Sequence, residues 1–201
     1  MKNTLTATDW IKASFRALTK GGPQAIKAEA IARALKVSKG SFYWHFKNVP
    51  ALKSAMLDHW VEIGTNNIIH IVRKNPADPA AQLRLLMQIS TDERSADYGG
   101  NQADPAIRDW ARYDANAAKA LRLVDTKRLA FVTALFLAYG HAEPQAKTSA
   151  DILYAALIGL EGLSFHGLGD PKIALPVLLE TLLSQRWLHG PRSPKFKIMH
   201  R

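Results

Sequence analysis

The 201-residue chain contains no cysteine, which excludes disulfides, thiol redox chemistry and thiolate metal sites. No apolar run approaches the ~20 residues that span a bilayer, and the opening MKNTLTATDW lacks the continuous apolar stretch of a secretory signal. These two absences lead to the expectation of a cytoplasmic protein with no membrane partner. Seven histidines are present, yet none falls into an HExxH or related metal-ligating spacing. There is no phosphate-cradling P-loop and no GxGxxG after a strand-like run. The glycines of segment 162–169 flank His166 but sit at a helix end, and the paired acids Asp92 and Glu93 lie near a loop, where solvation accounts for them. No catalytic residue, metal or cofactor is therefore expected, and an enzyme acting on a small molecule is the least favoured reading.

Acidic residues are scarce where basic ones gather. The net charge is +10, and residues 1–50 hold nine Lys/Arg against two Asp/Glu. Residues 51–185 hold thirteen basic against fifteen acidic side chains, and residues 186–201 hold five basic and none acidic. A basic head on a nearly neutral body suits a surface that meets phosphates, although a solvated basic face has the same composition. Hydrophobic residues make up 47% of the chain, enough for a sizeable helical core.

Strand-like alternation between hairpin turns is also missing, and the chain reads as helices with clear punctuation. The spacing predicts helices over about Thr8–Lys20, Ala28–Leu35 and Lys39–Phe46. A long fourth helix from Asn48 to Arg73 is capped by Asn48, with Pro50 in its first turn. Further helices are expected over Pro79–Glu93, Pro105–Tyr113 and Ala115–Tyr139, with a loop over 94–104. An eighth, capped by Thr148 or Ser149, runs to His166 after a loop over 141–147. A ninth follows Asp170-Pro171 to Leu188 and either kinks or starts at Pro176.

The second and third helices, joined by a tight turn and backed by the first, form a helix-turn-helix. Ile31 and Leu35 face inward, Val37 plugs the turn, and Phe42 and Phe46 bury one face of the third helix. Its other face offers Lys39, Ser41, Tyr43, Trp44 and His45, donors and aromatics fit for a phosphate-lined groove. Gly40 allows the backbone close to a base edge.

The string Val37-Ser38-Lys39-Gly40-Ser41-Phe42-Tyr43-Trp44-His45-Phe46-Lys47 resembles the TetR (tetracycline-repressor) family, and the likeness extends over about Asp9 to Asp58. The resemblance implies an all-α protein: a helix-turn-helix DNA-binding domain over residues 7–53 (the motif itself over 28–47), a ligand-binding and dimerisation domain over 54–190, and a basic tail over 191–201. It implies a transcriptional regulator, with repression as the default, released from a palindromic operator by an unidentified small-molecule effector. By position, Lys39 and Gly40 are expected to read bases, and Lys27, Ser38, Ser41, Tyr43, His45 and Lys47 to meet the DNA backbone or groove. Trp44 either touches sugar-phosphate or packs on the fourth helix. Three positions depart from the family pattern. Lys27 stands where a Ser or Thr cap is usual, Lys36 where a turn Gly is usual, and Val49 where a second basic residue is common, with Lys53 a substitute.

In the body, the eighth helix is apolar nearly all round, so both faces need covering. Ala155, Ala156, Gly159, Gly162 and Leu163, with Val177, Leu178 and Leu182 of the ninth helix, are expected to pair two subunits as a homodimer. Trp110, Tyr113, Phe136, Tyr139, His141, Phe165 and His166 are candidates for a ligand pocket, with ordinary core packing the competing reading. A sequence-indifferent DNA-packaging or scaffold protein is the principal alternative, since the basic head and tail permit it.

Overall fold

Side-chain caps set most helix starts in the computed structural model, which describes residues 5–75, 78–92 and 96–185. The Thr6 hydroxyl accepts from the Asp9 N–H at 3.3 Å and the Asp9 carboxylate accepts from the Thr6 N–H at 2.8 Å, a reciprocal box that starts α1 (Ala7–Gly21). Lys27 precedes α2 (Ala28–Ala34) without a side-chain cap, as the replacement of a hydroxyl by an ammonium requires. At the end of α2 the Lys36 N–H donates to the Arg33 carbonyl at 3.1 Å and the Val37 N–H to the Ala32 carbonyl at 3.0 Å. This is a Schellman turn, and it puts Lys36 at φ 58°, the left-handed conformation expected where glycine is replaced.

The third helix, α3 (Lys39–Trp44), is a short 3-10 segment that ends two residues before the expected Phe46. Asn48 then caps α4 through the Ala51 N–H at 2.9 Å, with Pro50 in the first turn. α4 is continuous but not uniform: Val49–Val61 is regular, Glu62–Asn66 forms a π-type turn, and Asn67–Lys74 resumes the α-helix. Asp78 caps α5 (Pro79–Thr91). The expected end of that helix at Glu93 and of the ninth at Leu188, and the basic tail, lie outside the described residues.

Two single 3-10 turns, Ala96–Tyr98 and Gly100–Gln102, occupy the expected loop, and α6 (Ala103–Trp110) begins two residues before Pro105. α7 (Ala115–Tyr139) has the predicted bounds, from an Asp114 cap to left-handed Gly140. α8 (Glu143–Phe165) starts ahead of the expected Thr148 or Ser149 cap. Pro144 already fixes its first turn, the Thr148 hydroxyl donates back to the Pro144 carbonyl at 2.9 Å, and Ser149 is buried. α9 (Pro171–Ser184) is capped by Asp170 and runs through Pro176 without restarting there. All regular structure among the described residues is helical, and no helix there is long and apolar enough to cross a membrane.

Two cores meet at the π-type turn of α4. One gathers Trp10, Phe15, Phe42, Leu52, Ile107 and Trp110, from α1, α3, the first half of α4, and α6. The other gathers Leu83, Phe131, Phe136, Leu153, Leu175 and Leu179, from α5, the second half of α7, α8 and α9. α4 and α7 are thus the long elements that enter both, α7 through Ala117 and Val124 on one side and Phe131 to Phe136 on the other.

Candidate functional site

The recognition surface rests on an aromatic stack. Trp10 is fully buried in α1 and meets Phe42 edge-on, centroids 5.5 Å apart, and Phe42 lies 5.9 Å from Phe46. With those rings held inward, the short α3 turns Lys39, Gly40, Tyr43 and Trp44 outward. Trp44 is 88% exposed, so it does not pack on α4. Ser38, Lys47 and Lys27 are exposed as well, Ser41 is half-buried, and His45 is half-buried with its ring 6.2 Å from that of Trp10. A Cβ built on Gly40 meets only the Ser38 hydroxyl at 3.7 Å, so nothing inside the chain requires glycine there.

Two partners on this surface escape sequence reasoning. Lys39 forms an ion pair with Glu29 of α2, which raises the lysine pKa and lowers that of the carboxyl through their mutual hydrogen bond. The ten-residue separation of the pair has no helical meaning until the turn folds α3 back onto α2. Lys53, the expected substitute phosphate contact, places its ammonium 5.5 Å from the ring centre of Trp110.

The body holds a narrow cavity of about 40 Å³ between α4, α5, α7 and α8. Ile68, Met87, Phe131, Val132, Leu153 and Leu157 form most of the wall. Gly64, Thr65, Arg128 and Tyr154 form a polar end. None of the seven residues expected to line a pocket lines this one. Trp110 is buried in the core nearer the head and Phe136 in the body core, while Tyr113 is 85% exposed. Tyr139 donates its hydroxyl to the Leu183 carbonyl at 3.3 Å, and His141 stacks on Phe136 at 5.2 Å. Phe165 and His166 are exposed at the end of α8. The physical reason is helical phase: the inward stripe of α7 at cavity height is Arg128, Phe131 and Val132, and Phe136 lies a turn further along.

A buried polar network closes that end of the cavity. Arg128 donates Nε to the Thr65 hydroxyl at 3.1 Å, Nη1 to Asp104 Oδ2 at 2.6 Å, and Nη2 to the Gly64 carbonyl at 2.9 Å. Trp60 Nε1 donates to the other Asp104 oxygen at 2.8 Å. Tyr154 donates to Asp125 at 2.6 Å and accepts from Arg108 at 2.8 Å, and Arg108 grips Asp125 with two further bonds. Burial works against the Arg128 charge, but the neighbouring Asp104 outweighs it and raises its pKa. Burial likewise pushes the Tyr154 phenol up to about 12, so it stays a donor at neutral pH. A side chain on Gly64 would crowd Trp60 at 3.3 Å, and its absence lets Arg128 close on the π-type turn. The available signal was charge on an apolar stripe: Asp125 and Arg128 fall at i and i+3, in phase with Phe131 and Val132.

The expected pairing face is exposed in part. Ala155, Gly159, Gly162, Leu163 and Val177 are exposed, and Ala156 and Leu178 half-buried. Leu182 instead faces the chain's own core with Leu175, Leu179 and Leu183, because those four share one stripe of α9. Ile173 and Phe165, 68% and 63% exposed, extend the apolar surface.

Residues 11–55 match the family model described as bacterial regulatory proteins, tetR family. No protein of curated function is significantly similar to the chain in sequence. Solved structures share the fold over nearly the whole chain. A TetR transcriptional regulator from Legionella pneumophila aligns with TM-score 0.72 at 13% identity, covering 90% of this chain and 97% of its own. A TetR-family transcriptional regulator from Streptomyces coelicolor aligns with TM-score 0.71 at 18% identity, covering 89% of each chain. A third, from Agrobacterium tumefaciens, gives 0.69 at 18% identity, covering 88% and 95%.

Proposed function

From a TetR-family helix-turn-helix head on a body of the TetR-regulator fold, we propose that the protein is a homodimeric repressor of a palindromic operator, released when a small molecule enters the cavity of the body. The observation that carries this reading is the outward face of α3. Lys39, Gly40, Tyr43 and Trp44 are presented together, on a rigid aromatic base, with no internal role for the glycine or the indole. Lys39 donates to a guanine edge, Gly40 packs on a thymine methyl, and Trp44 lies along sugar-phosphate. Tyr43, His45, Lys47, Lys27, Ser38 and Ser41 hold the backbone. Lys39 exchanges Glu29 for the base, so part of its binding energy is spent in opening that pair.

Two heads must sit ~34–36 Å apart to enter successive major grooves. Pairing through the exposed residues of α8 and α9 sets that distance, and α4 transmits any change in the body to the head. The cavity supports the link, because Gly64 and Thr65 of the π-type turn stand in its wall. A ligand there acts only if it prefers one arrangement of α4 to the other.

The test is retention of a genomic duplex library by the purified protein at near-physiological salt, followed by sequencing. Recovery of a palindrome with half-sites one turn apart supports the reading. Retention without sequence preference overturns it in favour of DNA packaging, since specific regulators discriminate by ~10³ or more.

A further inference from the structure

The cavity wall is apolar over most of its area, and among the described residues its polar end is balanced in charge. Arg108 and Arg128 face Asp104 and Asp125, all joined by direct hydrogen bonds or through Tyr154. Lys127 and Glu62 extend the balance outward, joined through Asn66. The hydroxyl of Tyr154 is fully used, donating to Asp125 and accepting from Arg108 and Arg128. Arg128 has five N–H groups. Nε meets Thr65, the two hydrogens of Nη1 meet Asp104 and Tyr154, and one hydrogen of Nη2 meets the Gly64 carbonyl. The hydrogen bonds of Nη2 among the described residues use one of its two hydrogens, and the side chain, 13% exposed, lines the cavity. A buried donor left unmade is costly, so a ligand atom that accepts from it gains more than the same contact in water.

We infer that the cavity takes an uncharged, mostly apolar ligand with one hydrogen-bond acceptor, such as an ester or ketone carbonyl, which docks on the remaining N–H of Arg128. The inference rests on reading the body as the ligand-sensing unit. A carboxylate would bring a surplus negative charge into a buried site whose guanidinium is already neutralised by Asp104, and Asp104 is pinned by Trp60. An amine would meet the guanidinium itself and offer it no acceptor. A neutral carbonyl fills the vacancy without disturbing the balance, and Ser90, the remaining hydroxyl on the wall, is neutral too. Such a ligand seats against Gly64 and Thr65 and so bears directly on the irregular turn of α4.

Isothermal titration calorimetry of the full chain at neutral pH with methyl octanoate, octanoate and octylamine tests the assignment. Methyl octanoate is expected to bind at least about ten-fold more tightly than either charged analogue. Arg128→Lys keeps a cation beside Asp104 but has only three donors, and is expected to weaken methyl octanoate by about ten-fold. Leu157→Trp fills the cavity while leaving the polar network untouched, and is expected to abolish binding even where the Arg128 variant folds poorly. Octanoate binding as tightly as its ester overturns the neutrality of the site. Undiminished ester binding in Leu157→Trp overturns its location, and absence of binding by all three overturns the ligand class. Duplex retention by the same preparation keeps the two readings apart. Retention without ester binding sinks this inference alone, whereas ester binding that leaves retention unchanged sinks release by ligand while the assigned chemistry stands.

Discussion

Lys36 occupies a left-handed conformation with its side chain exposed, and both hydrogen bonds of its turn are made by backbone. Glycine there keeps the bonds and removes a steric cost of ~1–2 kcal/mol, offset by its freer unfolded chain. Lys36→Gly is therefore expected to stabilise the protein by about 0.5–1 kcal/mol in urea unfolding. Gly40 presents the opposite case. Since a Cβ there has room inside the chain, Gly40→Ala is expected to leave the melting temperature unchanged while weakening the preferred duplex in a mobility-shift titration. Lys39→Ala is expected to cost ~1–3 kcal/mol on that duplex and relax discrimination at one base position, whereas Lys47→Ala weakens all duplexes alike and lowers the salt slope by about one. Unchanged site preference in Lys39→Ala removes it from base reading. The string from Val37 to Lys47 made this face legible, because residue types and short-range spacing decide it. Glu29 was not legible as the partner of Lys39, because their meeting depends on a tertiary fold-back.

At the scale of the element, phase and capping were read well where side chains act locally. Asn48 and Asp170 cap as their sequence context implies, and Asp78 and Asp114, not singled out as caps in the sequence, cap in the same way. The start of α8 was misread because Pro144 served the first turn and left Thr148 as an interior residue. The π-type turn of α4 carries no sequence mark that period-based reading detects, and with it went the cavity. α4 also carries His59, stacked on Tyr98 at 5.1 Å, with a buried Nε2 lacking a hydrogen-bond partner among the described residues. Burial first, and Lys12 second, hold its pKa below the ordinary 6.5. Between those two values the unfolded chain binds more protons than the folded one, so stability is full above pH 6.5 and falls as pH drops through the folded value. His59→Gln is expected to flatten this acid limb of the stability curve, leaving a remnant from His141, which burial shifts the same way.

For the molecule as a whole, pairing is the property that one chain only outlines. Gly159 and Gly162 have open space where a Cβ would stand, and they lie on the exposed apolar face. Within one chain Gly159→Leu is harmless and improves helix propensity by about 0.5–1 kcal/mol. Between two chains packed closely at that point it is a clash. Light scattering is expected to show a dimer for the parent and a folded monomer for the variant, and a variant dimer that persists would move the proposed interface elsewhere. The nearly all-apolar run of α8 announced this face, but not that Leu182 turns away from it, since a stripe on α9 is assigned to core or surface only by what packs beside it.

The core around Trp10 and Phe42 does not stop at the head: it continues through Ile107 and Trp110 of α6 to Ala117 and Val124 of α7, and Lys12 ties α1 to Asp97. The DNA-reading unit is therefore not a detachable module. A peptide ending near residue 53 would leave behind eight of the twenty buried residues of that core, and a head grafted from a relative would inherit a floor cut for different side chains. Exchange of binding specificity between such proteins has two workable routes: substitution confined to the outward face of α3, or transfer of the head together with α6 and the beginning of α7.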